Sequence, residues 1–198
     1  MPLLHPSLLS GPARRPEPFL SARSLSDEPG RIELPELRRL TAGLAARTDV
    51  WRPVIRHTAE RRWYTRLLLS ATVEVWLIGW YPGQQTEVHD HGGALGALTV
   101  VQGRVEEDRF DREWALTGSR EHVTGSSAGF GAAHVHRVAN RGSVAATTIH
   151  AYSPPELPMR YGPELAADGT QPAVQVALQP ALTAAVAARP PVGAGSAR

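Results

Sequence analysis

Cysteine is missing from this sequence, and so is lysine. The first absence excludes a disulfide framework, a thiolate metal site and a cysteine nucleophile, so a metal would need nitrogen and oxygen ligands. The second leaves arginine as the sole basic side chain besides histidine: 21 basic residues face 19 acidic ones, for a net charge of +2. Arg38, Arg39, Arg61, Arg62, Arg109 and Arg112 are scattered among acids. Nucleic-acid binding needs a concentrated basic face, and none is present. Long apolar runs are also missing; the run at 75–80 is far too short to span a bilayer. The opening MPLLHPSLLSGPARRPEPF carries Pro6, Gly11 and Pro12 where a secretory leader is continuously apolar. The expectation is a cytoplasmic monomer with no membrane and no nucleic-acid partner.

The 198 residues suffice for one domain with a sizeable core. Residues 1–30, rich in Pro, Ser and Arg, and residues 168–198, dominated by Ala, Pro, Gly and Val, read as poorly ordered tails around a folded unit at 31–167. The stretch 174–188 allows a helix interrupted at Pro180. Leu37, Leu40 and Leu44 recur at helical spacing after Pro35 and predict a short amphipathic helix ahead of the core. From Arg61 onward come short β-rich runs: WYTRLLL, TVEVWLIGW, TEVHDH, GALTVVQG, RVEEDRF, REHVT, HVHRVAN and VAATTIHAY. Pro82-Gly83, Gly92-Gly93, Thr117-Gly118 and Asn140-Arg141-Gly142 punctuate them. Many short strands with such turns predict a mainly β domain, a jelly-roll sandwich or small barrel.

His89 and His91 flank Asp90 in one of these runs. Strand alternation would point both imidazoles to one face and Asp90 to the other. With eight histidines in the chain an HxH pair can arise by chance, and imidazole suits iron, copper, nickel and zinc alike. The surrounding spacing is more specific. Gly83, five residues, His89-x-His91, four residues, Gly96, six residues and Gly103 resemble the first cupin motif. His136, three residues and Asn140 resemble the end of the second, whose earlier Pro and Gly are not matched. Cupins commonly place a glutamate where this chain has Gly96, so the ligand set becomes three neutral histidines. The ion would keep its full charge, with open positions for an anionic thiolate and oxygen. His134 competes with His136 for the third place. His136 alone has the Asn140 spacing, which leaves His134 as a partly exposed histidine at the barrel rim. His5, His57 and His122 lack comparable context and are expected to bind nothing.

The chain most resembles one cupin family, the cysteine dioxygenases, over roughly residues 63–155. Five landmarks in order carry the resemblance: WYTR at 63–66, Trp80 nine residues before His89, HDHG at 89–92, HRVAN at 136–140 and IHAYSPP at 149–155. The resemblance implies iron(II) on His89, His91 and His136. It implies that Arg66, assisted by Tyr64, binds the substrate carboxylate through its planar fork, and it counts Trp80 with the substrate pocket. Tyr152 would donate its hydroxyl hydrogen to oxygen or substrate, with His150 and Thr148 behind it on the same strand face. The implied reaction adds both atoms of dioxygen to the sulfur of L-cysteine. Two positions depart from parts of the family: Thr148 stands where serine is usual, and Gly96 where animal members have a cysteine cross-linked to the tyrosine. Bacterial members commonly have glycine there.

Taken singly, Arg66 would read as a surface arginine and Tyr152 as a core tyrosine; the shared order of landmarks favours the functional reading. Related enzymes that act on 3-mercaptopropionate typically carry glutamine in place of Arg66, so the arginine favours L-cysteine, and cysteamine has no carboxylate to hold. A non-catalytic metal-binding cupin would have no need of Arg66, His150 and Tyr152 together.

Overall fold

A computed structural model describes residues 1–9 and 19–162. The expected tail at 168–198 and its helix at 174–188 lie outside the described residues. In chain order the first elements are β1 (Leu3–Leu4), α1 (Pro6–Leu9), α2 (Leu34–Ala46), α3 (Thr48–Trp51), β2 (Trp63–Leu69), β3 (Glu74–Trp80) and β4 (Leu95–Gln102). They are followed by β5 (Arg104–Phe110), β6 (Leu116–Val123), β7 (Ser127–Phe130), β8 (Val135–Ala139) and β9 (Ala146–Ser153).

Two antiparallel sheets result, one ordered β1-β2-β3-β9-β4-β7 and one ordered β6-β5-β8. Alternation along the strands divides the large sheet into two faces. On its outer face Val75, Leu77, Ala97, Ile149 and Ala151 pack under Leu37, Leu40 and Leu44 of α2. On its inner face Trp80, Leu98 and Phe130 meet Val105 and Val138 of the small sheet. Residues directly opposite in an antiparallel pair share a face. Trp76 pairs with both Arg66 and His150, and Ile78 with both Tyr64 and Thr148. The inner face therefore carries Tyr64, Arg66, Thr148 and His150 together. A bulge in β2 follows Arg66.

Two expectations change. The described parts of 1–30 are joined to the fold: Leu3 and Leu4 pair with Leu69 and Leu68, the His5 amide donates to Leu67 O at 2.8 Å, and Ser24 is buried. Two paired residues are too few to leave a periodic signal. The run TEVHDH is not a regular strand. It is an irregular segment that bridges β8 at Gln85–Ala139 and His89–His136. Asn140, buried at the end of β8, fixes the junction by donating from Nδ2 to Trp80 O at 3.1 Å and to Val144 O at 2.9 Å.

Candidate metal centre

His89, His91 and His136 are buried, and one nitrogen from each lies within 4.8 Å of the others. Two elements position them. His136 stands on β8, and the irregular segment is held against it by reciprocal bonds: the His89 amide donates to His136 O and the His136 amide to His89 O, each at 2.9 Å. The Asp90 carboxylate, turned from the cluster, accepts from the Gly92 amide at 3.0 Å and from Arg160 Nε at 2.7 Å, which pins the turn between His91 and β4.

Hydrogen bonds set the tautomers. His89 Nδ1 donates to Glu87 O at 2.8 Å, and His136 Nδ1 donates to Glu107 Oε1 at 2.9 Å. Each acceptor has no proton to give, so both rings turn a proton-free Nε2 to the cluster. His91 Nε2 stands 3.0 Å from His136 Nε2. An ion bound at about 2.1 Å holds ligands at right angles about 3.0 Å apart, so this spacing fits a shared cation. Burial, then the neighbouring His136, lowers His89 to about 3; burial, then His89 and His136, holds His91 well below its ordinary value. Neutral imidazoles, the form that binds metal, are thus the resting state.

Behind His136 lies a group that the sequence reading missed. The buried Glu107 carboxylate accepts from His134 Nε2 at 2.8 Å and His136 Nδ1 on one oxygen, and from His122 Nε2 at 3.1 Å and Arg109 on the other. Burial alone would raise its pKa, but the bonds from His122, His134 and His136 outweigh it and keep Glu107 ionised far below the usual range. Glu107, His134 and His136 also bring ligand-type atoms together. Direct hydrogen bonds already join them, so this is a supporting network. His134 is half-buried, as a rim residue would be, but His122 is buried and engaged. The available signal was a glutamate in phase with Val105 on β5, an acid at an inward position.

The β9 residues form a second chain of bonds. Trp80 Nε1 donates to Thr148 Oγ1 at 2.8 Å, Thr148 Oγ1 lies 2.8 Å from His150 Nε2, and His150 Nδ1 lies 3.0 Å from Tyr152 Oη. Thr148 is fully buried, and among the described residues His150 Nε2 is the acceptor in reach of its hydrogen. His150 must then carry its proton on Nδ1 and donate to Tyr152, whose own hydrogen is free to be donated. Burial, then His136 and Arg62, lowers His150 to about 3, and burial raises the Tyr152 phenol further above its ordinary value. The Tyr152 ring lies 4.4 Å from His91, centroid to centroid. With threonine at 148 the hydroxyl lies within hydrogen-bond distance of His150.

Of the expected substrate residues, Trp80 is completely buried and serves the β9 chain. Tyr64 meets Trp76 edge-on at 5.8 Å. Arg66 lies over Trp76 and pairs with Glu156 at 2.9 Å. Gly96 pairs with Tyr152 on one side and Phe130 on the other, and a Cβ there would come within 1.9 Å of the Phe130 ring. Phe130, stacked on His91 and His134, fills the space. His5 bonds Ser7, and His57 bonds Ala146 O and Thr147.

Residues 29–160 match the family described as cysteine dioxygenase type I. No curated protein matches the chain at a significant level. Among solved structures, an uncharacterized conserved protein with a double-stranded β-helix domain from Klebsiella pneumoniae is similar at 17% identity and a TM-score of 0.50, over 57% of this chain and 94% of that one. A cupin superfamily protein from Desulfitobacterium hafniense is similar at 14% identity and a TM-score of 0.45, over 52% and 86%. The first of these supports a double-stranded β-helix fold.

Proposed function

Because the chain belongs to the cysteine dioxygenase type I family, we propose that it oxidises the thiolate of free L-cysteine to the sulfinate. Both atoms of dioxygen go to sulfur, so no outside reductant is consumed. The observation that carries this reading is the meeting of the three histidine nitrogens with the Thr148–His150–Tyr152 chain. Iron(II) on His89, His91 and His136 would supply coordination of thiolate and dioxygen, its full charge retained because all three ligands are neutral.

The chain's own groups do the rest. Tyr152 holds a donatable proton beside His91 and acts as the general acid. His150 stays neutral and fixes the phenol, while Thr148 and Trp80 fix His150. The substrate carboxylate needs a cation on the β2 side. The family pattern gives that role to Arg66 beside Tyr64, which requires the Glu156 ion pair to open.

Oxygen uptake by ferrous-loaded protein, with L-cysteine, 3-mercaptopropionate and cysteamine compared, tests the reading. Sulfinate carrying two oxygens from isotopic dioxygen, with the highest kcat/KM for L-cysteine, is expected. Preference for 3-mercaptopropionate would move the substrate assignment, and no uptake with any thiol would leave only a metal-binding cupin.

A further inference from the structure

His89 and His91 stand on isolated bridges rather than in a regular strand, so no continuous ladder fixes their backbone. A second segment does part of that work. Residues 157–162, LPMRYG, belong to no helix or strand and run back along the metal-bearing segment. The Asp90 amide donates to Arg160 O at 2.9 Å and the Gly162 amide to Val88 O at 2.8 Å. His89 is thereby bridged on one side to His136 of β8 and on the other to Tyr161. Residues 157–162 form a strap across the outside of the histidine turn.

Two devices hold it there. Asp90 accepts from the Arg160 amide at 3.2 Å on one oxygen, and from Arg160 Nε at 2.7 Å and Nη2 on the other. The Arg160 side chain is 76% exposed but that of Asp90 only 2%. Among the described residues Asp90 has no other cationic partner. A surface ion pair contributes little, but a buried carboxylate stripped of its cation is costly, so the strap cannot lift without penalty. The second device is Trp114, in the turn between β5 and β6. Its φ of 67° is a left-handed conformation that bulky residues avoid, and bonds from the Glu113 and Ala115 amides to Asp111 hold that turn. Strain of this kind persists where the surroundings enforce it. Trp114 packs on Val88, Phe110 and Val135 and covers Gly162, where a Cβ would come within 2.7 Å of the indole. At the other end Gly92, also left-handed, lets Pro158 O approach to 2.3 Å from where a Cβ would stand. The strap is therefore seated at Gly92 and at Val88, on either side of the two histidines.

We infer that the strap, latched by Arg160 on Asp90, is a positioning element of the metal centre, with Arg160 as its positioning residue. It sets the backbone of His89 and His91 so that both imidazoles meet His136. The inference rests on the reading of the three histidines as metal ligands. It adds a residue outside the five landmarks of the family resemblance. Ligand side chains hold an ion tightly only when their support is rigid. Outside the β-ladders, the strap is the kind of segment that opens locally without global unfolding. Each opening releases one side of His89, so retention of the ion follows the latch.

The test is the affinity of the full chain for iron(II), by anaerobic competition with a chelator, together with the visible spectrum of bound cobalt(II), which follows coordination geometry. Arg160→Met removes the charge and keeps the bulk. It should lower iron affinity by about 10–100-fold, as loss of a ligand's support does, and alter the cobalt bands. Arg160→Lys, which keeps a cation for Asp90, should recover part of the loss. Asp90→Asn combined with Arg160→Met should lose no more than the worse single variant, because the two residues act as one unit. Arg141→Met is the control: it takes one cation from the buried Asp108 and shares no partner with the strap, so it should stay within about twofold of wild type. Wild-type affinity and cobalt bands in Arg160→Met, additive losses in the double variant, or an equal fall in Arg141→Met each overturn the inference. Failure of the dioxygenase reading looks different. Arg160-dependent metal binding without oxidation of any thiol sinks that reading alone, while thiol oxidation with wild-type iron affinity in Arg160→Met sinks the strap alone. A wild-type chain that binds no metal sinks both.

Discussion

Glu107 never faces the three-nitrogen cluster, yet it holds His136 in the tautomer that a metal needs. Partners of this kind typically change metal affinity about 10–100-fold when lost. Glu107→Gln keeps the shape but replaces one oxygen with a donor, so a histidine must turn away. We expect iron affinity to fall by about that factor in competition with a chelator; wild-type affinity would deny Glu107 any such role. His89→Ala, His91→Ala or His136→Ala should remove most of the iron, while His134→Ala, which loses one of four donors to Glu107, should keep it. If His134→Ala strips the iron and His136→Ala retains it, the ligand assignment is wrong. Tyr152→Phe should keep its iron and lose about 10²–10⁴-fold in turnover, the usual worth of a positioned acid; an unimpaired variant would remove this phenol from the chemistry. The two halves of the histidine group could be read because each has its own local spacing, His89-x-His91 and His136 to Asn140, and the β9 residues entered through the family resemblance. Glu107 and His122 could not be read, because strand pairing alone decides that β5 and β6 turn them toward one another.

The strands that could be read from sequence are β2, β3, β4, β5, β6, β8 and β9, each of which falls wholly or partly in one of the short β-rich runs bounded by turn residues. The missed β7 is SAGF, whose small residues leave no pattern, and β1 spans only two residues. The metal-bearing run misled for a different reason. Its pairing with β8 skips positions, so a strand-like sequence folds as isolated bridges. Asn140 makes that pairing possible, and its spacing from His136 is a packing requirement as much as a motif. Asn140→Ala would leave the Trp80 and Val144 carbonyls without these donors, a loss of about 1–3 kcal/mol for a buried unsatisfied group; an unchanged urea midpoint would count against it. Gly96 is constrained by its neighbour, since its backbone is not in a left-handed conformation. Gly96→Cys should collide with Phe130 and cost about 1–3 kcal/mol, the usual range for overpacking. The pair Gly96→Cys with Phe130→Ala should recover part of it in urea unfolding. If the single variant unfolds at the wild-type midpoint, Phe130 moves more freely than its stacking implies.

The three imidazoles draw together a connection of the large sheet and a strand of the small one, so a bound ion would tie the two sheets directly. Iron at 100 times its Kd should add about 2.7 kcal/mol to unfolding, read as a rise in Tm that depends on iron concentration. Without metal, pH should matter in one direction. His89 and His150 have folded values near 3, below the unfolded value of about 6.5. As pH falls through 6.5 the unfolded chain takes up protons that the folded chain refuses. Stability is then complete above that pH and declines toward 3. A metal-free urea midpoint lower at pH 5.5 than at pH 7.5 is expected, and an equal or higher one would contradict the neutral, buried assignment. The tie between sheets also bears on how long each copy lasts. Proteolysis commonly follows the population of opened chains, and a bound ion would suppress that population. During iron starvation copies should be degraded sooner, and on resupply they should accumulate without any change in synthesis.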